Sequence, residues 1–225
     1  MKQQLLDITW RTLSGPHAAY SAGGEDARRY APGFTPIVGF ADSERPNFET
    51  LRPHCKPGEH FYCDGWSGPA PAGWRIDEET TMFKMLWSSA PPAEDAFPEA
   101  VSLTRQHAPQ ALELALLTKP GPFGLRTLEL GEYFGCFDGP RLMAMAGERM
   151  FAGGLREISA VCTHPDYQGR GLARRLMTLL IRRQMLRGET PFLHVMRANS
   201  GAHGLYTRMG FDDVHETVVR VVSPC

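Results

Sequence analysis

The stretch from Glu157 to Leu176, EISAVCTHPDYQGRGLARRL, constrains the fold more tightly than any other part of the chain. Residues 158–163 form an apolar, β-tolerant run that ends at a turn through His164, Pro165 and Asp166. Gln168, Gly169, Arg170, Gly171, Leu172 and Ala173 then open a helix expected to run to about residue 187. Leu172, Leu176, Leu179 and Leu180 recur along it at helical spacing, while Arg175, Thr178 and Arg182 lie on another side. A strand leading through a short loop into such a helix, with a further strand over 191–196, forms a parallel crossover. Crossovers of this kind are right-handed, and open sheets that contain them bind ligands beyond the carboxyl ends of the parallel strands.

The start of this helix suits an anion. The first amides of a helix have no intrahelical acceptor, and the helix dipole adds positive potential there. Glycine at 169 and 171 lets phosphate oxygens approach the backbone, and Arg170 and Arg174 can add charge-assisted bonds. Two familiar phosphate motifs do not fit. A dinucleotide fingerprint needs glycine at the position that Arg174 occupies, and no Gly-Lys-Ser/Thr follows as a P-loop requires.

The pattern Gln168-x-x-Gly171-x-Ala173 resembles the Arg/Gln-x-x-Gly-x-Gly/Ala signature of the GNAT superfamily of N-acetyltransferases. The order of elements agrees with it. A strand over 100–104 precedes a helix over 108–117, then a loop over 119–124. Strands over 127–137 and 141–150 are joined at Asp138-Gly139-Pro140, a hairpin signal. After the central strand and its helix come the strand over 191–196, a short helix capped by Asn199 or Ser200, and a last strand over 214–222. The tail from Asn199 through Ala202, Leu205, Tyr206 and Met209 to Gly210 and Phe211 resembles the closing motif of that superfamily. The resemblance spans roughly residues 95–222.

The expected fold is therefore α/β, the GNAT acyl-CoA N-acyltransferase fold. Its sheet is mixed and mostly antiparallel, with a parallel central strand pair. Residues 1–90 are expected to add a small α/β or α+β subdomain before a GNAT domain over 91–225, with a linker over 89–98. In the N-terminal part, a helix over 5–13, strands over 34–40 and 60–63, and a long strand over 75–88 are expected. A degenerate half-copy of the C-terminal fold is one reading of residues 1–90, although the sequence shows no internal repeat.

The resemblance implies transfer of an acetyl group from acetyl-CoA to a primary amine on a small molecule, an amino acid or a peptide N-terminus, by direct attack in a ternary complex. It places the pantetheine arm along Val161, Cys162 and Thr163. It places the pyrophosphate against Gln168, Gly169, Arg170, Gly171, Leu172, Ala173 and Arg174, and brings Asn199 beside the pantetheine. Glu157 is the implied proton acceptor, direct or through water, and Tyr206 the donor to the departing thiolate. Glu129, Glu132 and Glu148 are rival carboxylates. His194, inside an apolar strand, reads as a core histidine. Cys162 lies mid-strand with no base beside it in the sequence, which argues against a covalent acetyl-cysteine. A different class of function, a non-catalytic CoA sensor or interaction module, uses the same coenzyme site without turnover.

Composition narrows the remaining classes. A net charge of −1 gives no bulk affinity for nucleic acid or anionic membranes. No apolar run approaches the ~20 residues of a membrane helix, and the first residues lack a secretory h-region. Five irregularly spaced cysteines make no disulfide framework, so a cytoplasmic protein with reduced thiols is expected. His54, Cys55, His60 and Cys63 match no zinc spacing, and no metal is expected. The sequence is equally compatible with a monomer and a homodimer.

Overall fold

A computed structural model of the protein describes residues 2–93 and 97–225. Residues 94–96 of the expected linker lie outside the described residues. The chain begins with helices α1 (Lys2–Leu6) and α2 (Ile8–Ser14), then strands β1 (Ser21–Gly23), β2 (Ala27–Tyr30) and β3 (Val38–Phe40). A one-turn helix α3 (Phe48–Leu51) leads to β4 (Phe61–Asp64) and the long β5 (Trp74–Trp87). After β6 (Val101–Ser102) and α4 (Ala108–Thr118) come β7 (Tyr133–Asp138), β8 (Arg141–Ala152) and β9 (Leu155–Thr163). The chain closes with α5 (Leu172–Leu186), β10 (Thr190–Met196), α6 (Ser200–Met209) and β11 (Phe211–Pro224).

Strands β1, β2 and β3 form a small antiparallel sheet. The other eight form the main sheet in the order β4-β11-β5-β10-β9-β8-β7-β6. Neighbours are antiparallel except β9 and β10, whose parallel pairing follows from the α5 crossover between them. This is the mostly antiparallel sheet with a parallel pair that the sequence implied. The strand at 74–87, on the N-terminal side of the boundary expected near residue 90, is an inner strand of this sheet. It pairs with β10 from Phe192↔Leu86 to Met196↔Met82 and with β11 over most of its length.

Both faces of the sheet are covered. Leu176, Met177, Leu180 and Ile181 of α5 pack with Ile158, Leu193 and Val195 on one face, where α6 adds Tyr206. Each such fully buried aliphatic side chain contributes about 1.5–3 kcal/mol. On the opposite face, Ala111, Leu114 and Ala115 of α4 pack on Met145, Ala160 and Cys162. Leu5, Ile8 and Leu13 of α1 and α2 pack there on Met150, Leu155 and Phe192.

Three local expectations change. The strand expected over 127–137 starts only at Tyr133, because residues 127–129 form a 3-10 turn. Thr127 Oγ1 accepts the Gly124 amide at 2.8 Å, and Arg126 pairs with Glu129 across the turn. The strand expected over 34–40 is extended ladder only over 38–40; Pro36 has no amide to give and instead accepts the Tyr62 amide at 2.9 Å. The expected N-terminal helix is two helices that break at Asp7.

Candidate active site

The two parallel strands pair only at their beginnings. Their register runs from Thr190↔Leu155 to Phe192↔Glu157 and stops, although β9 continues to Thr163 and β10 to Met196. The edge of β9 that faces β10 therefore has no ladder partner there beyond Glu157. A bulge accompanies the divergence. Between Met145↔Cys162 and Gly147↔Ser159, two residues of β9, Ala160 and Val161, face the single Ala146 of β8. Ala160 takes the left-handed conformation, φ 52°, that a non-glycine residue adopts only at a cost of about 1–3 kcal/mol.

A cavity of about 320 Å³ passes through this opening. Val195, Ala202 and Tyr206 line it from the α5–α6 side, and Val161 and Asn199 lie on its wall. Thr9, Asp64 and His194 line it from the other side, and Lys119 to Pro122 close over it. That loop is held by the N-terminal segment: Thr35 Oγ1 donates to the Pro122 carbonyl at 3.0 Å, and the Arg126 amide donates to Gly33. Residues before 90 thus build much of one wall.

The start of α5 is open. Gly169 and Gly171 adopt φ of 77° and 74°, a left-handed geometry that glycine takes without steric cost. A Cβ built at either position meets nothing within 4 Å. Gly171 is the N-cap, no side chain caps it, and the first helical bond comes from the Arg175 amide to Gly171 at 3.1 Å. Gln168, Gly169, Arg170 and Arg174 are exposed around this corner, while Leu172 and Ala173 are half-buried. Arg170 lies over the Tyr167 ring at 4.8 Å.

Glu157 is placed differently from the sequence expectation. It is 1% exposed and does not line the cavity. A second bulge sets its partners: between Glu148↔Ile158 and Phe151↔Arg156, Arg149 and Met150 together face Glu157. Arg149 donates twice, Nε to Oε2 at 2.9 Å and Nη2 to Oε1 at 2.6 Å, and the Met150 amide donates to Oε2 at 3.2 Å. His194 Nδ1 reaches Oε1 at 2.8 Å. Burial opposes the carboxylate's charge, but Arg149 and His194 outweigh it and hold the carboxyl below its ordinary range. Enclosed by Arg149, His194 and the Met150 amide, the carboxylate lies outside the cavity in which an amine would bind. The direct role expected for Glu157 is corrected on that ground.

The rival carboxylates also lie outside the cavity lining. Glu129 pairs with Arg126 and Arg105, Glu132 with Arg183 and Arg187, and Glu148 with Arg187 and Gln184. Tyr206 is 8% exposed, and burial, with Cys162 nearby, pushes its phenol up to about 12. Asn199 Oδ1 caps α6 by accepting the Ala202 amide at 3.1 Å. Burial pushes the Cys162 thiol up to about 11, opposite to what a nucleophile needs. Asp64 carries a lowered pKa: burial opposes its charge, and Lys84 at 2.6 Å, His194 and the Thr9 hydroxyl outweigh it. Among the described residues, no three His, Cys, Asp or Glu side chains converge as a metal site.

The family model described as FR47-like protein matches residues 133–221. A solved structure from Novosphingobium aromaticivorans, described as an acetyltransferase of the GNAT family, matches with a TM-score of 0.90 at 30% identity over 98% of each chain. The chain belongs to the GNAT family. Two further GNAT-related structures share the fold at lower identity. One from Kribbella flavida has a TM-score of 0.60 at 11% identity, covering 96% of this chain and 94% of its own. One from Streptococcus suis has a TM-score of 0.57 at 15% identity, covering 99% and 96%. No curated protein matches the chain by sequence.

In this GNAT protein Val161, Asn199 and Tyr206 line the cavity between the divergent strands, and the open start of α5 lies outside its lining. His194 is the cavity residue that sequence reasoning set aside. An apolar strand conceals a histidine's partners, and the available signal was its period-two placement with Phe192, on the face opposite Leu193 and Val195.

Proposed function

We propose that this GNAT protein transfers an acetyl group from acetyl-CoA to a primary amine by direct attack in a ternary complex. The cavity that passes from Tyr206 to Asp64 between β9 and β10 carries the reading. It offers a route from a coenzyme on one side of the sheet to an acceptor on the other.

The residues fit the coenzyme. Amides from Gln168 to Ala173, with Arg170 and Arg174, would hold the pyrophosphate, and Gly169 and Gly171 leave the space for it. The unladdered edge at Val161, Cys162 and Thr163 would pair with the pantetheine amides as an added strand does. Asn199 borders the same channel. When bound, acetyl-CoA supplies an activated thioester. Tyr206, protonated at neutral pH, is the proton donor for the sulfur that leaves. The wall made by Thr9, Ile37, Tyr62, Asp64 and Met82 gives residues 1–90 the task of shaping the acceptor side.

The test is a mass-spectrometric screen. A metabolite extract is incubated with acetyl-CoA and the protein, and products that gain one acetyl group are sought while free thiol is followed. Coenzyme binding with no thiol release on any amine would overturn the enzymatic reading in favour of a CoA sensor.

A further inference from the structure

We infer that His194 is the residue that takes the proton from the acceptor amine, and that Glu157 and Arg149 are the positioning residues that hold its ring. This deepens the acetyl-transfer reading above and rests on it.

The carboxylate of Glu157 can only accept hydrogen bonds. Its contact with His194 at 2.8 Å therefore puts the imidazole hydrogen on Nδ1 and leaves the lone pair on Nε2. His194 lines the cavity. Nε2 is shielded from water and has no hydrogen-bond partner in the protein. A buried polar atom left without a partner costs about 1–3 kcal/mol, and a bond from a molecule in the cavity would recover that cost. An acceptor amine in the cavity is that partner.

The surroundings keep the ring in place and let it charge. Arg149 fixes Glu157 with two bonds, and Glu157 stays ionised to stabilise the imidazolium as it forms. On β5, Lys84 sits opposite His194 in register, and Lys84 is paired with Asp64 of β4 at 2.6 Å. Asp64 also faces His194 electrostatically. The charged groups around the ring are thus Glu157, Arg149, Asp64 and Lys84, two of each sign.

The proton balance closes. An alkylammonium gives one proton to His194 Nε2 and becomes a neutral amine. Its lone pair forms the N–C bond to the acetyl carbonyl carbon while the C–S bond breaks. The sulfur takes a proton from Tyr206, the second proton of the nitrogen returns through solvent to the Tyr206 phenolate, and the His194 imidazolium releases the one remaining proton to solvent.

Two measurements test the inference. Long-range ¹H–¹⁵N correlation of the imidazole rings in the wild-type protein without coenzyme, above pH 8, should find His194 with its hydrogen on Nδ1. Hydrogen on Nε2 overturns the inference and needs no variant. In kinetics, His194→Gln should lower kcat by about 10²- to 10⁴-fold, the usual worth of a general base, and abolish the acidic limb of the pH profile. Its acetyl-CoA affinity should stay near that of the wild type. Glu157→Gln should shift that limb and alter the His194 tautomer balance, which a merely structural role would not do. Wild-type turnover and pH profile in His194→Gln overturn the inference and leave acetyl transfer standing. Failure of the wild-type protein to bind acetyl-CoA overturns both, and the coenzyme titration tells the two failures apart.

Discussion

Gly171→Glu separates grip on the coenzyme from stability of the fold. Gly171 has φ 74°, and a side chain in left-handed backbone costs about 1–2 kcal/mol. A Cβ there meets nothing within 4 Å, so no packing penalty is added. A carboxylate at the start of α5 recovers about 0.3–1 kcal/mol from the helix dipole. The net loss is about 1 kcal/mol, which lowers the thermal midpoint of a chain this long by about 2–4 °C. The effect on binding is much larger. The new carboxylate occupies the open space in front of the amides and repels a diphosphate. At a concentration one hundred times its Kd, acetyl-CoA stabilises the wild type by about 2.7 kcal/mol, or about 5–11 °C in midpoint. Gly171→Glu should lose that rise. Gly154→Glu is the control: Gly154 has φ 80°, its Cβ position is equally open, and it lies in the β8–β9 turn. Without the helix-dipole recovery it should show a somewhat larger midpoint loss, from about 1–2 kcal/mol, and the full coenzyme rise. Thermal melts with and without acetyl-CoA read both quantities. An equal rise in the two variants refutes the assignment of the α5 start to the diphosphate.

Tyr206→Phe keeps the ring packing on Phe211 and removes the phenol; thiol release should fall about 10²-fold or more while acetyl-CoA affinity holds, and unchanged turnover would reduce Tyr206 to packing. Arg149→Met leaves Glu157 buried without its main counter-charge, so stability should fall by about 3–5 kcal/mol. Chemical denaturation should find the double variant Arg149→Met/Glu157→Gln less destabilised than the single one, and an equal loss would mean that the stranded charge is not the cause. His17 is buried against Tyr30, and burial, with the Arg156 charge, lowers its pKa to about 4. The unfolded chain therefore binds a proton at His17 below about pH 6.5 that the folded chain refuses until about pH 4. This contribution is neutral above the unfolded value and turns against the fold as pH drops. Between pH 7.5 and pH 5 the wild type should lose about 2 kcal/mol that His17→Gln does not lose; identical pH slopes in urea titrations would show that His17 is not the group responsible.

Much of the C-terminal half was legible because its signals are local. The turn glycines at 169 and 171, the apolar stripe of α5, the hairpin at Asp138-Gly139 and the cap at Asn199 each depend on residues within a few positions of one another. Residues 127–132 depart from the expected strand for a related reason. Their composition tolerates a strand, but a side-chain bond from Thr127 and the pairing of Arg126 with Glu129 close a turn instead. The burial of Glu157 and its ion pair were not legible in the sequence, which placed it only as a carboxylate at the start of the central strand. Its neighbour in the structure, Arg149, reaches it only because β8 bulges opposite it.

The sequence alone determined the stretch that makes this a GNAT protein: a β run, a glycine turn and an amphipathic helix, each dictated by backbone sterics and periodicity over one or two turns of chain. Tertiary structure decided the rest of the site. It inserted β5 between β10 and β11, ended the β9–β10 ladder at Glu157, and turned His194 toward a cavity walled by residues from Thr9 to Asp64. Strand partners and the pairing of buried charges depend on groups as far apart as Lys84 and Leu5, or His194 and Glu157. No local rule links such positions, and only packing the sheet brings them within hydrogen-bond reach.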